Sequence, residues 1–214
     1  MPEKSPLEAT SRLFIVSGPS GAGKTSVCGP ILERFPAMSM SVSVTTRKAR
    51  VGERDGVDYH FISDQSFDGM LARGEFAEWA EVHGHRYGTS LAAIEAATAA
   101  GNDVILDIDV QGTRQIKERF PDAVSVFLLP PSRQRLEERL SGRGTDAADT
   151  IRRRLDNACA EVAEASSYDH VVINDDLDRA IAELAAIVSG QGQVADGIEP
   201  GALRRLVDTF QAKT

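Results

Sequence analysis

Chemistry in this chain starts from the run Gly18-Pro19-Ser20-Gly21-Ala22-Gly23-Lys24-Thr25, which satisfies the pattern G-x-x-x-x-G-K-[ST] at every fixed position. Residues of these types at this spacing hold a polyphosphate. The glycines let the backbone turn its N–H groups inward, and the helix that follows aims unpaired N–H groups and its positive dipole end at the same anion. Lys24 then reaches the β- and γ-phosphates, the hydroxyl of Thr25 takes one position around Mg²⁺, and Ser26 extends the nucleotide-binding run. Just before it, Leu13-Phe14-Ile15-Val16 reads as a buried parallel strand. That strand and the fixed positions together argue against a glycine-rich turn that binds nothing. The chain is therefore expected to bind a nucleoside triphosphate.

A second group of side chains suits a second anion. Arg47, Arg50, Tyr59 and Tyr87 would converge on one dianionic phosphate, guanidinium groups offering forked donors and phenols adding hydrogen bonds without charge. Singly, each arginine reads as a solvated surface charge; their grouping with glycines that bring the loop close, in a chain of net charge -8, favours the phosphate site. Hydrogen-bond complementarity then addresses the base. Guanine presents N1–H and an N2 amino group beside O6, whereas adenine presents an acceptor N1 beside its N6 amino group. A facing carboxylate accepts from guanine and meets a lone pair on adenine. Glu78 is the candidate, with the hydroxyls of Ser43 and Thr89 donating towards O6; a mispaired edge costs about 1–3 kcal/mol per bidentate contact. On its own, Glu78 reads more simply as a solvated strand carboxylate.

These groups need a scaffold. At 214 residues, 42% of them hydrophobic, the chain can bury a substantial core. Its acidity implies no sequence-independent hold on nucleic acid or on an anionic membrane. Cys28 and Cys159 have no metal-ligand spacing and suit a reduced compartment. Residues 1–10 read as a flexible N-terminus without an apolar targeting core, and no run approaches a membrane span, so the expectation is a cytoplasmic protein.

Along the chain, a helix should run from about Gly23 towards Phe35, but Gly29-Pro30 falls inside it and predicts a kink or an early stop. Met40 to Thr45 and Asp58 to Ile62 read as strands around the basic loop. Ser63 caps a short helix with Phe67, Met70 and Leu71 on one side, ended by Gly74. Glu75 to Val82 reads as another strand, so Met40 to Thr89 forms an inserted subdomain with its own short sheet. A helix from Ser90 to Gly101 follows, then strands at Val104–Asp109, Val124–Leu129 and Val171–Ile173. Between the last two lie a helix with Leu136 and Leu140, a break at Gly142-Arg143-Gly144, and a helix from about Asp149 to Ala165. The next helix places Leu177, Ile181, Leu184 and Val188 on one face. A last amphipathic segment with Leu203, Leu206, Val207 and Phe210 would pack on the core or on another subunit of a homo-oligomer.

The run Ser41-Val42-Ser43-Val44-Thr45-Thr46-Arg47, followed by Arg50, Gly52-Glu53, Gly56 and Asp58-Tyr59, resembles the GMP-binding segment of guanylate kinases. So do Glu78-Trp79-Ala80-Glu81, Tyr87-Gly88-Thr89, Leu106-Asp107-Ile108-Asp109 with Gln111-Gly112, Gly142-Arg143-Gly144-Thr145, and Val172-Ile173-Asn174-Asp175-Asp176. These blocks keep the family's order from about Arg12 to Val188. The resemblance implies an α/β, P-loop nucleoside monophosphate kinase fold: a five-stranded parallel core sheet with flanking helices. It implies a domain over 11–190 with a GMP-binding subdomain at about 40–90 and a lid at about 138–156, and a C-terminal extension over 191–214 bearing a helix. It also implies Mg²⁺-dependent transfer of the γ-phosphoryl group of ATP to GMP, with dGMP a second substrate. Arg86 departs from the family, standing where many members carry a second tyrosine, as does Gly29-Pro30.

The resemblance assigns side chains to roles. Gly18 to Ser26, Arg139, Arg143 and Asn174 would hold ATP; Ser43, Arg47, Arg50, Tyr59, Glu78, Tyr87, Gly88, Thr89, Asp107 and Asp109 would hold GMP. Lys24, Arg47, Arg143 and Arg154 would carry catalysis. The acceptor phosphate is already largely ionised near neutral pH, so positioning and electrostatics replace a general base. Thr25 would ligate Mg²⁺ directly and Asp107 through water, while Asp109 would serve either that shell or the guanine amino group. Of Arg152-Arg153-Arg154, helical spacing lets one or two enter a cleft, and Arg154 is the choice. A guanylate-kinase-like interaction module would be expected to lack P-loop or lid residues that this chain keeps. A GTPase would need an Asn-Lys-x-Asp motif, which is absent.

Overall fold

In a computed structural model, residues 11–82, 84–141, 148–190 and 199–211 are described. Nine strands lie among them: β1 (Leu13–Ser17), β2 (Met38–Met40), β3 (Val44–Thr45), β4 (His60–Phe61), β5 (Phe76–Val82), β6 (His85–Ser90), β7 (Asp103–Asp107), β8 (Val124–Leu129) and β9 (His170–Ile173). They form a five-stranded parallel sheet of order β2-β7-β1-β8-β9 and a four-stranded sheet of order β4-β3-β6-β5. All residues of β1 are buried, as are the last five of β8, which is what parallel strands covered on both faces require. The helices are α1 (Lys24–Arg34), α2 (Asp64–Ala72), α3 (Leu91–Ala99), α4 (Val110–Arg119), α5 (Arg133–Ser141), α6 (Ala148–Val162), α7 (Leu177–Val188) and α8 (Pro200–Gln211), with a 3₁₀ turn at Ala163–Ser167. Among the described residues no helix is long and apolar enough to cross a membrane.

The chain divides into two compact units, Met1–Ile15 with Pro36–Ala123, and Val16–Phe35 with Val124–Thr214. In the first, Leu13, Ile15, Ile94, Val104, Leu106, Ile116 and Phe120 form one apolar cluster, and Val44, Phe67 and Phe76 form another beneath the small sheet. The stretch Met40 to Thr45 is not one strand. Ser41 N still donates to Ile105 O, but the chain then leaves the first sheet, and Val44 pairs with His60 and Gly88 in the second. The strand expected over Asp58 to Ile62 contracts to His60–Phe61 because Asp58 Oδ2 and Asp55 Oδ1 accept from the backbone of Arg54 and Phe61 and hold a turn. Helix α4 has no counterpart in the sequence reading; its signal is Asp109 as N-cap, accepting from Gly112 N, with Ile116 and Phe120 buried behind it. Ser63 caps α2 through Ser66 N as expected, yet Leu71 is exposed while Phe67 is buried.

In the second unit, α1 runs unbroken through Pro30. The early stop does not occur because Val27, Cys28 and Ile31, on either side of the proline, are fully buried and hold the helix by packing. Gly29 helps: a residue before proline is pushed out of the helical region partly by its Cβ, and glycine has none. Helix α7 buries Ala180, Leu184, Ala185 and Val188, but Leu177, expected on that face, is exposed. Helix α8 packs on α6 and the 3₁₀ turn, so the tail covers its own unit. Phe210 is completely buried, Arg133 Nη1 donates to its carbonyl at 3.0 Å, and Gln211 Nε2 donates to Cys159 O at 2.7 Å.

Replacing Pro30 with Ala restores an amide N–H within an already packed helix. It is expected to raise the unfolding free energy by about 2 kcal/mol, read as a higher denaturant midpoint at unchanged slope. Phe210→Ala removes the anchor of α8 and is expected to destabilise by about 3–5 kcal/mol in the same measurement.

Candidate active site

The nucleotide loop lies wholly in the second unit. Gly23, the N-cap of α1, sits at φ 94°, and a Cβ there would collide with Asn174 Nδ2, so both the backbone angle and the space demand glycine. Asn174 is 5% exposed at the end of β9 and donates to Ala22 O at 2.7 Å. Arg139 of α5 donates to Asn174 O at 2.8 Å and to Ala22 O at 3.4 Å. One carbonyl of the loop is thus held by the strand end and by α5. Lys24 Nζ donates to Gly18 O at 2.7 Å, which lays its side chain back along the loop. Arg154 Nη2 donates to Ser20 Oγ at 2.7 Å, whereas Arg152 and Arg153 are exposed, as the 100° step between helix neighbours requires. The hydroxyl-bearing Thr25 and Ser26 are exposed on the first turn of α1. Gly21, Gly23, Ser26, Arg139, Asn174, Asp175 and Leu177 line a cavity of about 320 Å³. Arg143 lies outside the described residues.

The second group of side chains lies in the first unit. Arg47 makes a two-pronged ion pair with Glu53, Nη1 to Oε2 and Nη2 to Oε1 both at 2.9 Å, and its guanidinium lies over the rings of Tyr59 and Phe61 at 5.3 and 5.7 Å. The pair holds the Arg47 pKa up, with a Tyr87 hydrogen bond adding to it, and pulls the Glu53 carboxyl down. Glu53 also accepts from Arg50 N at 2.7 Å, so this carboxylate folds the whole basic loop. Tyr59 and Tyr87 meet edge to face at 5.9 Å. Burial, then the charge of Asp107, raises the Tyr59 pKa and keeps the phenol a donor. Arg47, Tyr59 and Tyr87 are therefore gathered, while the side chain of Arg50 is exposed. Sequence reasoning gave Glu53 no role, although an acid six residues after Arg47 in a basic loop was its available signal. Leu177 and Asp175 were not proposed for the nucleotide cavity either.

Glu78 is 4% exposed, and this overturns its simpler reading as a solvated carboxylate. Its Oε1 accepts from Thr89 Oγ1 at 2.6 Å, and Gly112 of α4 comes so close that a Cβ there would collide with Oε2. Burial raises its pKa from 4.5 to about 7; the Thr89 hydrogen bond works against that shift and the charge of Asp109 adds to it. Asp109 Oδ1 accepts from Gly112 N at 2.8 Å and Oδ2 from Gln111 Nε2 at 3.1 Å. Ser43 lies on the crossing between the two sheets, its carbonyl accepting from His60 N, and Asp107 ends β7. Gly88 packs under the Phe76 ring, where a Cβ would stand 2.7 Å from Cδ1.

Comparison with known proteins decides the family. A family model described as Guanylate kinase matches residues 10–191. The chain is 52% identical over 192 residues to a guanylate kinase of Syntrophotalea carbinolica, covering 90% of this chain and 91% of that one. The chain belongs to the guanylate kinase family. A guanylate kinase of Geobacter metallireducens is 51% identical over 176 residues, covering 82% of this chain and 87% of the relative. The crystal structure of guanylate kinase from Anaplasma phagocytophilum superposes with a TM-score of 0.72 at 29% identity, over 96% of this chain and 98% of that one. Within a guanylate kinase framework, Arg86 takes a structural part. It bonds Asp68 at 2.5 Å and Asp64 at 2.8 Å, with its guanidinium 4.7 Å from the Phe67 ring centre, and so straps α2 to β6.

A carboxyl whose folded pKa lies above its unfolded value holds more protons in the folded chain between the two values, so stability falls as pH rises from 4.5 through about 7, by on the order of 3 kcal/mol. Were this carboxyl to face a guanine edge, the donors of that edge would need the ionised form. Guanosine affinity, measured calorimetrically to keep phosphate titration out, is expected to weaken as pH drops below about 7 and to lose that dependence in Glu78→Gln. A flat wild-type profile across that range would show that Glu78 does not face the base.

Proposed function

We propose that the chain transfers the γ-phosphoryl group of ATP to GMP, giving ADP and GDP, with dGMP as a second acceptor. The observation that carries this reading is the buried Glu78 carboxylate, paired with Thr89, in the same unit as the Arg47, Tyr59 and Tyr87 cluster. One set accepts from the guanine edge and the other grips a dianionic phosphate. Arg50, exposed on the same loop, adds a second guanidinium to the phosphate. The hydroxyls of Ser43 and Thr89 donate towards O6, and Gly88 allows close approach of the strand.

ATP lies along Gly18 to Ser26. Lys24 swings from Gly18 O to the β- and γ-phosphates, and the backbone N–H groups at the start of α1 take the remaining oxygens. The adenine face rests on Leu177 and on Arg139, with Asn174 and Asp175 at its rim. Thr25 offers Mg²⁺ one hydroxyl oxygen, and Asp107 a carboxylate acting through water; both are the hard oxygen donors this ion takes. Bound by these residues, Mg²⁺ would neutralise charge on the phosphates of ATP.

The acceptor oxygen is already ionised, so this chain's side chains orient and neutralise rather than move protons. Arg154, released from Ser20 Oγ, and Arg143 steady the transferring group. Residues 138–156 serve as the lid that excludes water, and 11–190 as the catalytic domain.

ADP formation from ATP and Mg²⁺ is expected to be fast with GMP and dGMP and near the no-acceptor level with AMP and UMP. Rapid turnover of AMP or UMP would sink the guanine assignment while leaving the P-loop argument standing. At saturating ATP and GMP, Arg143→Ala is expected to lower kcat by about 10²–10³-fold, and unchanged turnover would remove it from the mechanism.

A further inference from the structure

Strand β5 is an edge strand, and it carries an irregularity at the residue that matters most. Phe76 pairs with Ser90 on β6 but Glu78 pairs with Thr89, so Ala77 is an extra residue and the register shifts between them. Phe76, Ala77 and Glu78 are consequently all buried, where regular alternation would turn the middle one of three outward. A bulge frees the chain to re-aim a side chain, but it also weakens the ladder that would hold that side chain still.

The residue after Glu78 is held from outside the sheet. Trp79 N donates to Gln115 Oε1 at 3.1 Å, and Gln115 Nε2 donates to Trp79 O at 2.7 Å. One side-chain amide thus satisfies both backbone groups of a residue on the open edge, as a neighbouring strand would. Gln115 lies one turn beyond Gly112 on α4, and Gly112 is the residue against which Glu78 Oε2 rests. The same helix face therefore fixes the peptide that follows the bulge and receives the carboxylate.

We infer that Gln115 is a positioning residue for guanine recognition: it locks the bulged segment of β5 to α4 and so sets the direction of Glu78. The inference rests on the kinase reading above. The hydrogen bonds of Gln115 go to the backbone of Trp79 and Gln111 and to none of the side chains assigned to phosphate, so its loss should fall on the base and not on phosphoryl transfer. Gln115→Met keeps the length of the side chain and removes both hydrogen bonds. The expected result is a KM for GMP raised about five- to thirtyfold, with kcat at saturating GMP and KM for ATP within about twofold of wild type. Because Glu78 would accept from both N1 and N2, the preference for GMP over IMP, which lacks the N2 amino group, should shrink by about the same factor.

A variant that is merely less stable would show a lower Tm with both the KM for GMP and the GMP-to-IMP ratio unchanged, and that outcome overturns the inference. Should Gln115→Met fail to fold, Gln115→Glu keeps the acceptor for Trp79 N and loses the donor to Trp79 O; it too must raise the KM for GMP, and an unchanged value counts against the inference equally. A wild type without GMP-dependent turnover would bring down the kinase reading itself, whereas a working wild type beside an unaltered Gln115 variant brings down only the role of Gln115.

Discussion

Cations meant for phosphate must stay in place before phosphate arrives, and in an acidic chain that constraint shapes both units. Three of these cations rest on internal acceptors of the kind a phosphate oxygen would supply. Arg47 lies on Glu53, Lys24 on the Gly18 carbonyl, and Arg154 on the Ser20 hydroxyl. These acceptors differ in strength. A two-pronged carboxylate holds an arginine far more firmly than a carbonyl or a hydroxyl holds its partner, because the bond is ionic and its geometry is matched at both nitrogens. Arg47 is accordingly held firmly and backed by aromatic faces, whereas Lys24 and Arg154 rest on neutral acceptors.

How much of this was legible in the sequence depends on the range of the forces involved. The P-loop was readable because its requirements are local: Gly23 must adopt a left-handed angle, and Lys24 must follow it by one residue. Strand β1 was readable because burial on both faces leaves a continuous apolar run, and helix α7 because burial of one face writes a period into the chain. The second sheet was readable as a short sheet, but the bounds of its shortest strands were not. Two-residue strands such as β3 and β4 carry no period, and the turn before β4 is held by Asp55 and Asp58 accepting from the backbone. Helix α4 escaped for a related reason: Asp109 was considered for a metal shell or a base, and its service as an N-cap had no separate mark. The partners that settle each site, Glu53 for Arg47 and Gln115 for Trp79, come from contacts that residue type alone does not announce.

Pro30 shows the reverse case, a local rule overruled. Propensity disfavours proline in a helix interior by about 3 kcal/mol, yet three buried neighbours at Val27, Cys28 and Ile31 outweigh it. The helix that contains it begins at the P-loop, and α7 packs along it. The defect falls in the middle of α1, away from the first-turn N–H groups that would face an anion.

The guanine side of the molecule reaches its chemistry through backbone irregularity more than through polar side chains. A carboxylate 4% exposed is unfavourable unless its surroundings repay ionisation, and only Thr89 and the base itself can do so. Three features make the burial possible without a second charge: the extra residue before Glu78, the missing Cβ at Gly112, and the Asp109 cap that starts α4 where that glycine is needed. An arginine in place of these would hold Glu78 ionised well into the acid range and would also occupy the acceptor that the proposed guanine contact uses. A hydroxyl and a glycine leave the carboxylate close to balance between its two protonation states, so that the donors of the base decide it. In the guanine reading proposed above, selectivity follows from how little the protein itself offers Glu78.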